Sequence, residues 1–297
     1  MKKLKIGLAL GGGGARGFAH IGVLRALEEA SLTIHSLAGI SMGAVIGAGY
    51  AHKTDLKRLE KYVLDFKYLE FVNGHNKEIS MDIKKVIKYF DEYLGNCDFK
   101  DLEIPLKILT TDLKNMCSFV IQKGKVSIAI AASCTTPYIH KPVQYEGHTL
   151  VDGGLISDIP IELVDNQNID IVIGVNTASV TKVNENDELY LNNFQKGIIS
   201  RFPSLSILWN SQINSYKKHS KRIVNNELAN LRMAMLKKPL IIIKPEMNDI
   251  NVLSFDRAEE IIEIGYLATK KVIKQLSNNY SFKTEGRVSQ RITSVNI

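Results

Sequence analysis

The chain has 297 residues, of which 45% are hydrophobic and 23% charged, so it can bury a substantial core as one large domain or two small ones. Its three cysteines are widely spaced and odd in number, which excludes a disulfide framework and a zinc site; they are Cys97, Cys117 and Cys134. The formal net charge of +7 favours an anionic partner without specifying which one.

The N-terminus resembles a signal peptide only in part. Lys2, Lys3 and Lys5 precede an apolar run, but the run from Ile6 to Gly14 is rich in glycine, and no cleavage-site pattern follows it. No stretch reaches about 18 apolar residues free of glycine, so we predict no transmembrane helix. Together with the free cysteines, these features predict a cytoplasmic protein.

Seven apolar, strand-like runs alternate with helical patterns along the chain. In order they are Ile6–Leu10, Leu32–Gly39, Leu106–Thr111, Phe119–Gln122, Thr149–Asp152, Ile169–Val175 and Leu240–Lys244. A last helix is predicted from about Asp256 to Leu276, since Asp256 and Glu259 have capping-box spacing before an apolar stripe. The alternation predicts an α/β fold with a largely parallel central sheet. We expect one domain over residues 1–276 and a loosely ordered tail over residues 277–297.

A glycine-rich loop follows the first predicted strand. Residues 11–17 read Gly-Gly-Gly-Gly-Ala-Arg-Gly, so their backbone N–H groups can converge on an anion. A P-loop is nearly excluded, because Phe18 and Ala19 stand where Lys and then Ser or Thr are required. A dinucleotide site is disfavoured, because no acidic residue lies between Ala30 and Tyr50. The third interpretation is an oxyanion hole formed by glycine N–H groups.

The pentapeptide Gly39-Ile40-Ser41-Met42-Gly43 has the pattern G-x-S-x-G and lies between two apolar runs. This pattern is typical of a nucleophile elbow, in which the serine is exposed at a sharp turn from strand to helix. Ser41 would then lie at a helix N-terminus, where free N–H groups favour a developing negative charge. The pentapeptide alone is a weak signal, because such a serine also needs a base.

The histidine that usually serves as this base is missing from the expected place. Hydrolases of this kind usually carry serine, then an acid, then histidine. Only His219 lies well downstream of a plausible acid, and its lysine-rich surroundings are typical of a solvated surface. An acid that acts directly is the remaining option. Asp152 precedes Gly153 and Gly154 at a strand end, which suits this role, although the spacing alone also fits a simple turn former.

One later segment has the pattern of a membrane-surface helix. Apolar residues at helical spacing lie beside basic ones; they are Phe202, Leu205, Leu208, Trp209, Ile213 and Tyr216, with Lys217, Lys218, Lys221 and Arg222. An ordinary helix packed on the core would show the same pattern. The polar residues 181–200 are predicted to form a mobile loop or lid. Nucleic acid is not expected as a partner, because there is no zinc-finger or RRM pattern and the lysines are widely spread.

Four blocks, taken in order, resemble the patatin-like phospholipases, and in particular their bacterial branch of lipid acyl hydrolases with a Ser–Asp dyad. They are Gly12–Gly17 for G-G-G-x-R-G, Gly39–Gly43 for G-x-S-x-G, Ala132–Pro137 for A-S-x-x-x-P and Asp152–Gly154 for D-G-G/A. The resemblance covers about residues 4–180 strongly and about residues 240–276 loosely. Four ordered motifs are far more specific than any one of them. The resemblance implies a three-layer α/β sandwich with a patatin-like sheet.

The resemblance also implies the catalytic roles. Ser41 is expected to be the nucleophile and Asp152 the general base that accepts its proton. The backbone N–H groups of Gly12, Gly13 and Gly14 are expected to form the oxyanion hole.

The other matched positions are expected to support these groups. Arg16 is expected either to hold the glycine loop in shape or to attract a lipid phosphate. The supporting glycines are Gly17, Gly39, Gly43, Gly153 and Gly154. Met42 and Asp158 differ from the alanine and asparagine that are frequent in the family, which puts the shape of the pocket in doubt but removes no catalytic group.

The implied function is a serine acyl hydrolase that cleaves fatty-acyl esters of lipids or phospholipids through an acyl-enzyme, with no cofactor and no metal. Its partners would be the lipid ester substrate and, peripherally, a membrane surface. An alternative from another class is a catalytically silent lipid-binding or regulatory protein, against which the intact Ser41, Asp152 and glycine loop argue. A nucleotide-binding protein is opposed by the missing lysine after Gly17.

Overall fold

The computed structural model describes residues 4–65, 72–75, 78–81, 83–136, 140–177, 233–252 and 254–281. The predictions for residues 181–200, for the apolar and basic segment 202–222 and for His219 lie outside the described residues, as does the tail beyond Ser281.

Strands and helices alternate through most of this part of the chain. The strands are β1 (Ile6–Leu10), β2 (Ile34–Gly39), β3 (Val72–His75), β4 (Glu78–Met81), β5 (Leu106–Asp112), β6 (Cys117–Ile121), β7 (Val143–Tyr145), β8 (His148–Asp152), β9 (Ile171–Val175) and β10 (Leu240–Ile243). The helices are α1 (Ala19–Glu29), α2 (Met42–Ala51), α3 (Leu56–Leu64), α4 (Ile83–Leu94), α5 (Val126–Ser133) and α6 (Ala258–Ser281). All seven predicted strands are confirmed within two residues of their predicted ends. The β3–β4 hairpin and the short strand β7 were not predicted.

The central sheet is parallel over most of its width. Strands β10, β9, β1, β2 and β5 are neighbours in that order, and each pair runs parallel. Strands β6, β8 and β7 join beyond the parallel part through antiparallel pairing. The predicted largely parallel sheet is therefore confirmed. Since the carboxyl ends of parallel strands lie at one edge of the sheet, the loops after β1 and β2 are neighbours.

Strands β2 and β8 lie on the same side of β5 and meet end to end. Strand β6 pairs with β5 along its whole stretch from Ile108 to Asp112. On the opposite side, β2 pairs with residues 106–108 and β8 with residues 110–112. Because β2 runs parallel and β8 antiparallel to β5, their carboxyl ends point toward each other. The residues that follow β2 and those that end β8 are thus brought together.

The sheet lies between two apolar layers. Ile6, Leu8 and Leu10 of β1 face the larger core, to which each of the six helices in the described residues contributes. Ala9 faces a smaller core that it shares with Ile161, which lies in the turn before β9. The predicted α/β sandwich is confirmed in these two layers around a central sheet.

Helix α6 packs closely against α1 through two glycines. A Cβ atom on Gly22 would lie 1.9 Å from the Ile262 carbonyl oxygen, and one on Gly265 would lie 2.1 Å from the Ala19 carbonyl oxygen. The two backbones therefore approach each other more closely than any side chain allows. The helix begins two residues after the predicted start and continues to Ser281. None of the helices in the described residues is long and apolar enough to cross a membrane.

Candidate functional site

Ser41 occupies the turn between β2 and α2 in a rare backbone conformation. Its φ is 52° and its ψ is −123°, and it directly precedes Met42, the first residue of α2. Non-glycine residues hold such angles only where the surrounding structure fixes them, and they concentrate at functional sites. One contact that fixes the turn is the hydrogen bond from the Ser41 backbone N–H to the Ser133 Oγ, at 2.8 Å. The chain therefore makes the sharp turn from strand to helix that was predicted, with Ser41 at the turn.

The glycines on either side of Ser41 are required by close packing. A Cβ atom on Gly39 would lie 2.5 Å from the Gly43 carbonyl oxygen, and one on Gly43 would lie 2.3 Å from the Leu10 carbonyl oxygen. Such distances are too short for any side chain. The two glycines therefore allow the turn to close against the end of β1, which explains the G-x-S-x-G spacing.

Asp152 ends strand β8 and lies against Ser41. The Ser41 hydroxyl is close enough to the Asp152 carboxyl to lower the pKa of that group. The Asp152 Oδ1 also accepts a hydrogen bond from the Gly154 N–H at 2.8 Å. The Asp152 backbone is fixed on both sides, because its N–H donates to the Thr135 carbonyl and its carbonyl accepts from the Thr111 Oγ1. The structure therefore brings together the two side chains that the sequence analysis selected.

The environment of Asp152 makes its carboxyl a weaker acid than usual. Burial raises the pKa of Asp152 to about 6, and the hydrogen bonds from Gly154 and Ser41 oppose this rise. Burial also raises the pKa of the neighbouring Cys134 thiol, and the Asp152 charge adds to that effect. Cys134 therefore stays a neutral thiol beside Ser41 at neutral pH. A carboxylate with a pKa near 6 is ionised at pH 7 and still basic enough to accept a proton.

The end of α5 and the residues that follow it connect Ser41 to Asp152. The Ser133 Oγ accepts from the Ser41 N–H and donates to the Leu109 carbonyl at 2.8 Å, so it joins the turn to strand β5. Two residues later, the Thr135 carbonyl accepts the Asp152 N–H. These contacts give a physical reason for a fixed serine in the A-S-x-x-x-P block. The sequence analysis matched this block without identifying its function.

The N–H groups of the glycine loop differ in their hydrogen bonding along the loop. The Gly11 N–H donates to the Val175 carbonyl and so continues the sheet. The N–H groups of Gly12, Gly13 and Gly14 have no acceptor among the described residues. Gly13 and Gly14 have φ values of 148° and 56°, which L side chains rarely adopt. Within the described part of the chain, these three N–H groups are therefore available as the donors that an oxyanion hole requires.

The loop lies close enough to Ser41 for these donors to share one site. A Cβ atom on Gly12 would lie 3.5 Å from the Ser41 Cβ. The Met42 N–H, at the first position of α2, also has no acceptor among the described residues. Sequence reasoning missed this donor, although the N–H after the serine is a common oxyanion donor in nucleophile elbows. The Met42 side chain packs where a Cβ on Gly17 would lie, at 2.5 Å, so Gly17 cannot carry a side chain.

Arg16 is buried and holds the glycine loop to the segment before α6. Its Nε donates to the Ile250 carbonyl at 2.9 Å, and it is 8% exposed. The preceding residue is bonded to the same segment, since the Ala15 N–H donates to the Val252 carbonyl at 2.9 Å. These bonds fit the first of the two roles expected for Arg16, which is to hold the loop in shape. Asp158 lies at the other end of the loop, where its carbonyl oxygen would be 2.6 Å from a Cβ on Gly11.

No histidine in the described residues hydrogen-bonds Ser41 or Asp152. His20 and His140 are buried and bond to the backbone of Gly11 and Thr136. A third histidine, His148, lies 2.8 Å from a carboxylate, but that carboxylate belongs to Asp112. Within the described ranges, no group of three or more His, Cys, Asp or Glu side chains is arranged to hold a metal ion.

Comparison with known proteins supports the family that the four sequence motifs resemble. The profile described as patatin-like phospholipase matches residues 8–165, slightly more than half of the chain. Lysophospholipase nte1 of Neosartorya fischeri is 26% identical over 303 residues, covering 95% of this chain and 18% of that protein. Neuropathy target esterase sws of Drosophila melanogaster is 25% identical over 287 residues, covering 92% of this chain and 20% of that protein. The chain thus spans about a fifth of the length of these curated relatives.

Two further comparisons concern a shorter relative and a solved structure. An NTE family protein of Mycobacterium tuberculosis is 34% identical over 178 residues, covering 58% of this chain and 48% of that protein. The crystal structure of VipD from Legionella pneumophila matches with a TM-score of 0.55 at 12% identity, covering 93% of this chain and 67% of that one. At this identity the likeness concerns the fold alone, and it agrees with the predicted fold class.

Proposed function

Because this chain belongs to the patatin-like phospholipase family, we propose that it is a serine hydrolase that cleaves fatty-acyl esters of lipids through an acyl-enzyme on Ser41. Asp152 acts as the general base, and the N–H groups of the glycine loop stabilise the oxyanion. No cofactor or metal takes part in this reaction.

The observation that carries the proposal is the end-to-end meeting of β2 and β8, which places Ser41 next to Asp152, a carboxyl whose pKa burial raises to about 6. A serine hydroxyl is a poor nucleophile unless a neighbouring base removes its proton as it attacks. A carboxylate with an ordinary pKa would be a weak base. Burial raises the pKa of Asp152 and so makes its carboxylate a stronger base. The pair therefore contains both the nucleophile and the base without a histidine between them.

The reaction has two half-reactions. In the first, the Ser41 Oγ attacks the ester carbonyl carbon while its proton moves to Asp152, and the proton then passes to the departing alcohol as the carbon–oxygen bond breaks. In the second, Asp152 accepts a proton from water, and the hydroxide oxygen attacks the acyl carbon. Collapse of that intermediate breaks the bond to Ser41, returns the proton to the serine oxygen and releases the fatty acid.

The oxyanion of each tetrahedral intermediate lies among the free donors. The N–H groups of Gly12, Gly13 and Gly14 surround the carbonyl oxygen from the loop side, and the Met42 N–H adds the positive end of α2. Removing a single donor of this type typically costs about 3–4 kcal/mol of transition-state stabilisation. Because these donors belong to the backbone, side-chain substitution at the glycines acts by displacing them.

The substrate class follows from the family and the charge. The relatives named as lysophospholipase and neuropathy target esterase support a lysophospholipid or phospholipid ester as substrate. The formal net charge of +7 suits contact with an anionic membrane surface from the cytoplasmic side. Membrane contact is peripheral in this proposal.

The test is hydrolysis of a panel of lipid esters by the wild-type protein and by Ser41→Ala. The panel contains phospholipids, lysophospholipids, acylglycerols and acyl thioesters, and released fatty acid is quantified by mass spectrometry. We expect release from at least one lipid ester and a loss of about 10³-fold or more in Ser41→Ala. Equal release by both proteins would contradict the role of Ser41. Binding of these lipids without any release would instead support the catalytically silent alternative.

A further inference from the structure

Two buried side chains hold the carbonyl groups of the glycine loop. The His20 Nε2 lies 2.8 Å from the Gly11 carbonyl oxygen, and His20 is fully buried in α1. A carbonyl oxygen only accepts hydrogen bonds, so the Nε2 carries the proton and donates it. Burial lowers the pKa of His20 to about 4, which keeps the ring neutral at pH 7. His20 belongs to no catalytic motif that the sequence analysis selected.

The second side chain belongs to a different part of the fold. The Thr177 Oγ1 donates to the Gly12 carbonyl oxygen at 2.7 Å, and Thr177 is 1% exposed. Thr177 follows strand β9, whereas His20 lies in α1. Two successive carbonyls of the loop are therefore held by donors from two different elements.

The direction of a carbonyl fixes the direction of the next N–H group. In a planar trans peptide, the C=O of one residue and the N–H of the next point in opposite directions. The bond from His20 to the Gly11 carbonyl therefore turns the Gly12 N–H away from His20. The bond from Thr177 to the Gly12 carbonyl turns the Gly13 N–H away from Thr177. Both N–H groups are without an acceptor among the described residues, and Gly12 lies beside Ser41.

The glycines of the loop need such hydrogen bonds to fix the orientation of their peptide units. With no Cβ atom, consecutive glycines can rotate a whole peptide unit at low cost, so the N–H and C=O groups can exchange places. A rotated unit would present a carbonyl oxygen to the developing oxyanion and repel it. We propose that His20 and Thr177 are positioning residues that lock the Gly11–Gly12 and Gly12–Gly13 peptide units with their N–H groups directed at the oxyanion.

This inference rests on the proposed hydrolase function and deepens it. The experiment therefore starts with wild type and Ser41→Ala on a water-soluble short-chain ester, and a lack of Ser41-dependent hydrolysis would contradict the proposed function itself. If hydrolysis is present, the same ester is used for Thr177→Val, which keeps the shape but removes the donor, and for Thr177→Ser, which keeps the donor.

We expect Thr177→Val to lower kcat by about 10- to 100-fold with KM changed by no more than about twofold, because only the transition state uses the oxyanion donors. Thr177→Ser is expected to retain kcat within about threefold. A trifluoromethyl ketone, which forms an oxyanion on the serine, is expected to bind more weakly to Thr177→Val by the same factor as kcat/KM. A general loss of structure would not produce this correlation.

A matched control lies in α6. The Thr269 Oγ1 also donates to a glycine carbonyl, that of Gly265, at 2.8 Å, and Thr269 is also buried. Thr269→Val removes the same kind of hydrogen bond away from the loop, so kcat is expected to stay within about twofold of wild type. A kcat of Thr177→Val equal to that of Thr269→Val would overturn the inference for Thr177.

The histidine is tested in the same way. His20→Gln keeps an N–H donor near the Nε2 position, whereas His20→Leu removes it. We expect the kcat of His20→Leu to fall by about 100-fold and the kcat of His20→Gln to recover at least a tenth of the wild-type value. If His20→Leu does not fold, the Gln variant still decides, because wild-type ketone affinity together with a 100-fold lower kcat would contradict a positioning role.

Discussion

Asp112 and Asp152 lie on the paired strands β5 and β8, but the protein holds their carboxyl groups in opposite ways. Asp112 is fully buried and accepts hydrogen bonds from the Lys114 N–H, the Asn115 Nδ2 and the His148 Nδ1. The bond to His148 is the largest of the effects that lower the pKa of Asp112 to about 2. Asp152 has fewer donors, and burial raises its pKa to about 6.

The difference shows how one sheet holds two carboxyl groups of different acidity, Asp112 and the proposed base Asp152. A carboxylate with a full set of donors is stabilised in its charged form and has little tendency to accept a proton. A carboxylate that is buried with few donors holds a proton readily near neutral pH. His148 is hydrogen-bonded to Asp112, whereas Asp152 lies next to Ser41. The comparison therefore predicts that only one of the two aspartates matters for hydrolysis.

Removing each carboxylate charge in turn has the largest expected effect. Asp152→Asn keeps the shape but removes the base, so we expect kcat/KM for a short-chain ester to fall by about 10³-fold or more. Asp112→Asn is the matched control and is expected to stay within about threefold of wild type. Steady-state kinetics at pH 8 measure both. Near-full activity of Asp152→Asn would show that the serine has another base.

The pH dependence of wild-type activity sharpens the same contrast. Asp152 must be ionised to accept the Ser41 proton, so kcat/KM is expected to rise with pH through about 6 and then level off. Below that value each pH unit costs about tenfold. His148→Gln is expected to leave this limb in place, because His148 bonds Asp112. If the His148 substitution shifts the pH at which kcat/KM falls, the titrating group belongs to the Asp112–His148 pair and not to Asp152.

Stability should respond to the two aspartates with opposite signs. The folded pKa of Asp152 lies above the unfolded value, so its ionised form disfavours folding above about pH 6, and that cost disappears as the pH falls toward about 4. We expect Asp152→Asn to be more stable than wild type at pH 8, by about 1–2 kcal/mol, and to match it near pH 4.

The folded pKa of Asp112 lies below the unfolded value, so its contribution is present above about pH 4 and is lost as the pH falls toward about 2. Asp112→Asn is therefore expected to lower the unfolding temperature at pH 8. Calorimetry at both pH values measures these changes. A lower unfolding temperature for both variants at pH 8 would contradict the opposite signs.

The smallest expected effect concerns the turn beside Asp152. Ser41 has a φ of 52° and a ψ of −123°, which glycine adopts at lower cost. We expect Ser41→Gly to be more stable than Ser41→Ala by about 1 kcal/mol, although both variants are inactive. Thermal unfolding of the two variants measures the difference. Equal stability would mean that the turn holds no backbone strain.

The sequence allows Ser41 and Asp152 to be selected as a proposed pair, but it does not reveal the contact between Asp112 and His148. The strands have apolar runs of the right length, and Ser41 and Asp152 are each flanked by glycines that close packing requires. Those local signals made both residues candidates, and the order of the four motifs, which resembles one family, selected them. The Asp112–His148 contact joins residues 36 positions apart, and nothing near either residue in the sequence indicates it.

The hydrogen bonds that support the turn and the glycine loop could not be predicted from the sequence either, for a physical reason. Ser133, Thr177 and His20 act on backbone groups of the turn and the glycine loop. A backbone partner can belong to any residue type, so such a contact produces no pattern of residue pairs. The end-to-end meeting of β2 and β8 depends on strand β5, which pairs with both. That arrangement became visible only in the pairing registers.

The most direct test of the account measures where and how fast a fluorophosphonate reacts. We predict a single adduct on Ser41 of the wild-type protein, identified by mass spectrometry of its peptides, with a labelling rate that falls as the pH drops below about 6. Asp152→Asn is expected to label at least about 10²-fold more slowly, and Asp112→Asn at nearly the wild-type rate. Labelling of Asp152→Asn at the wild-type rate would contradict direct activation of Ser41 by Asp152.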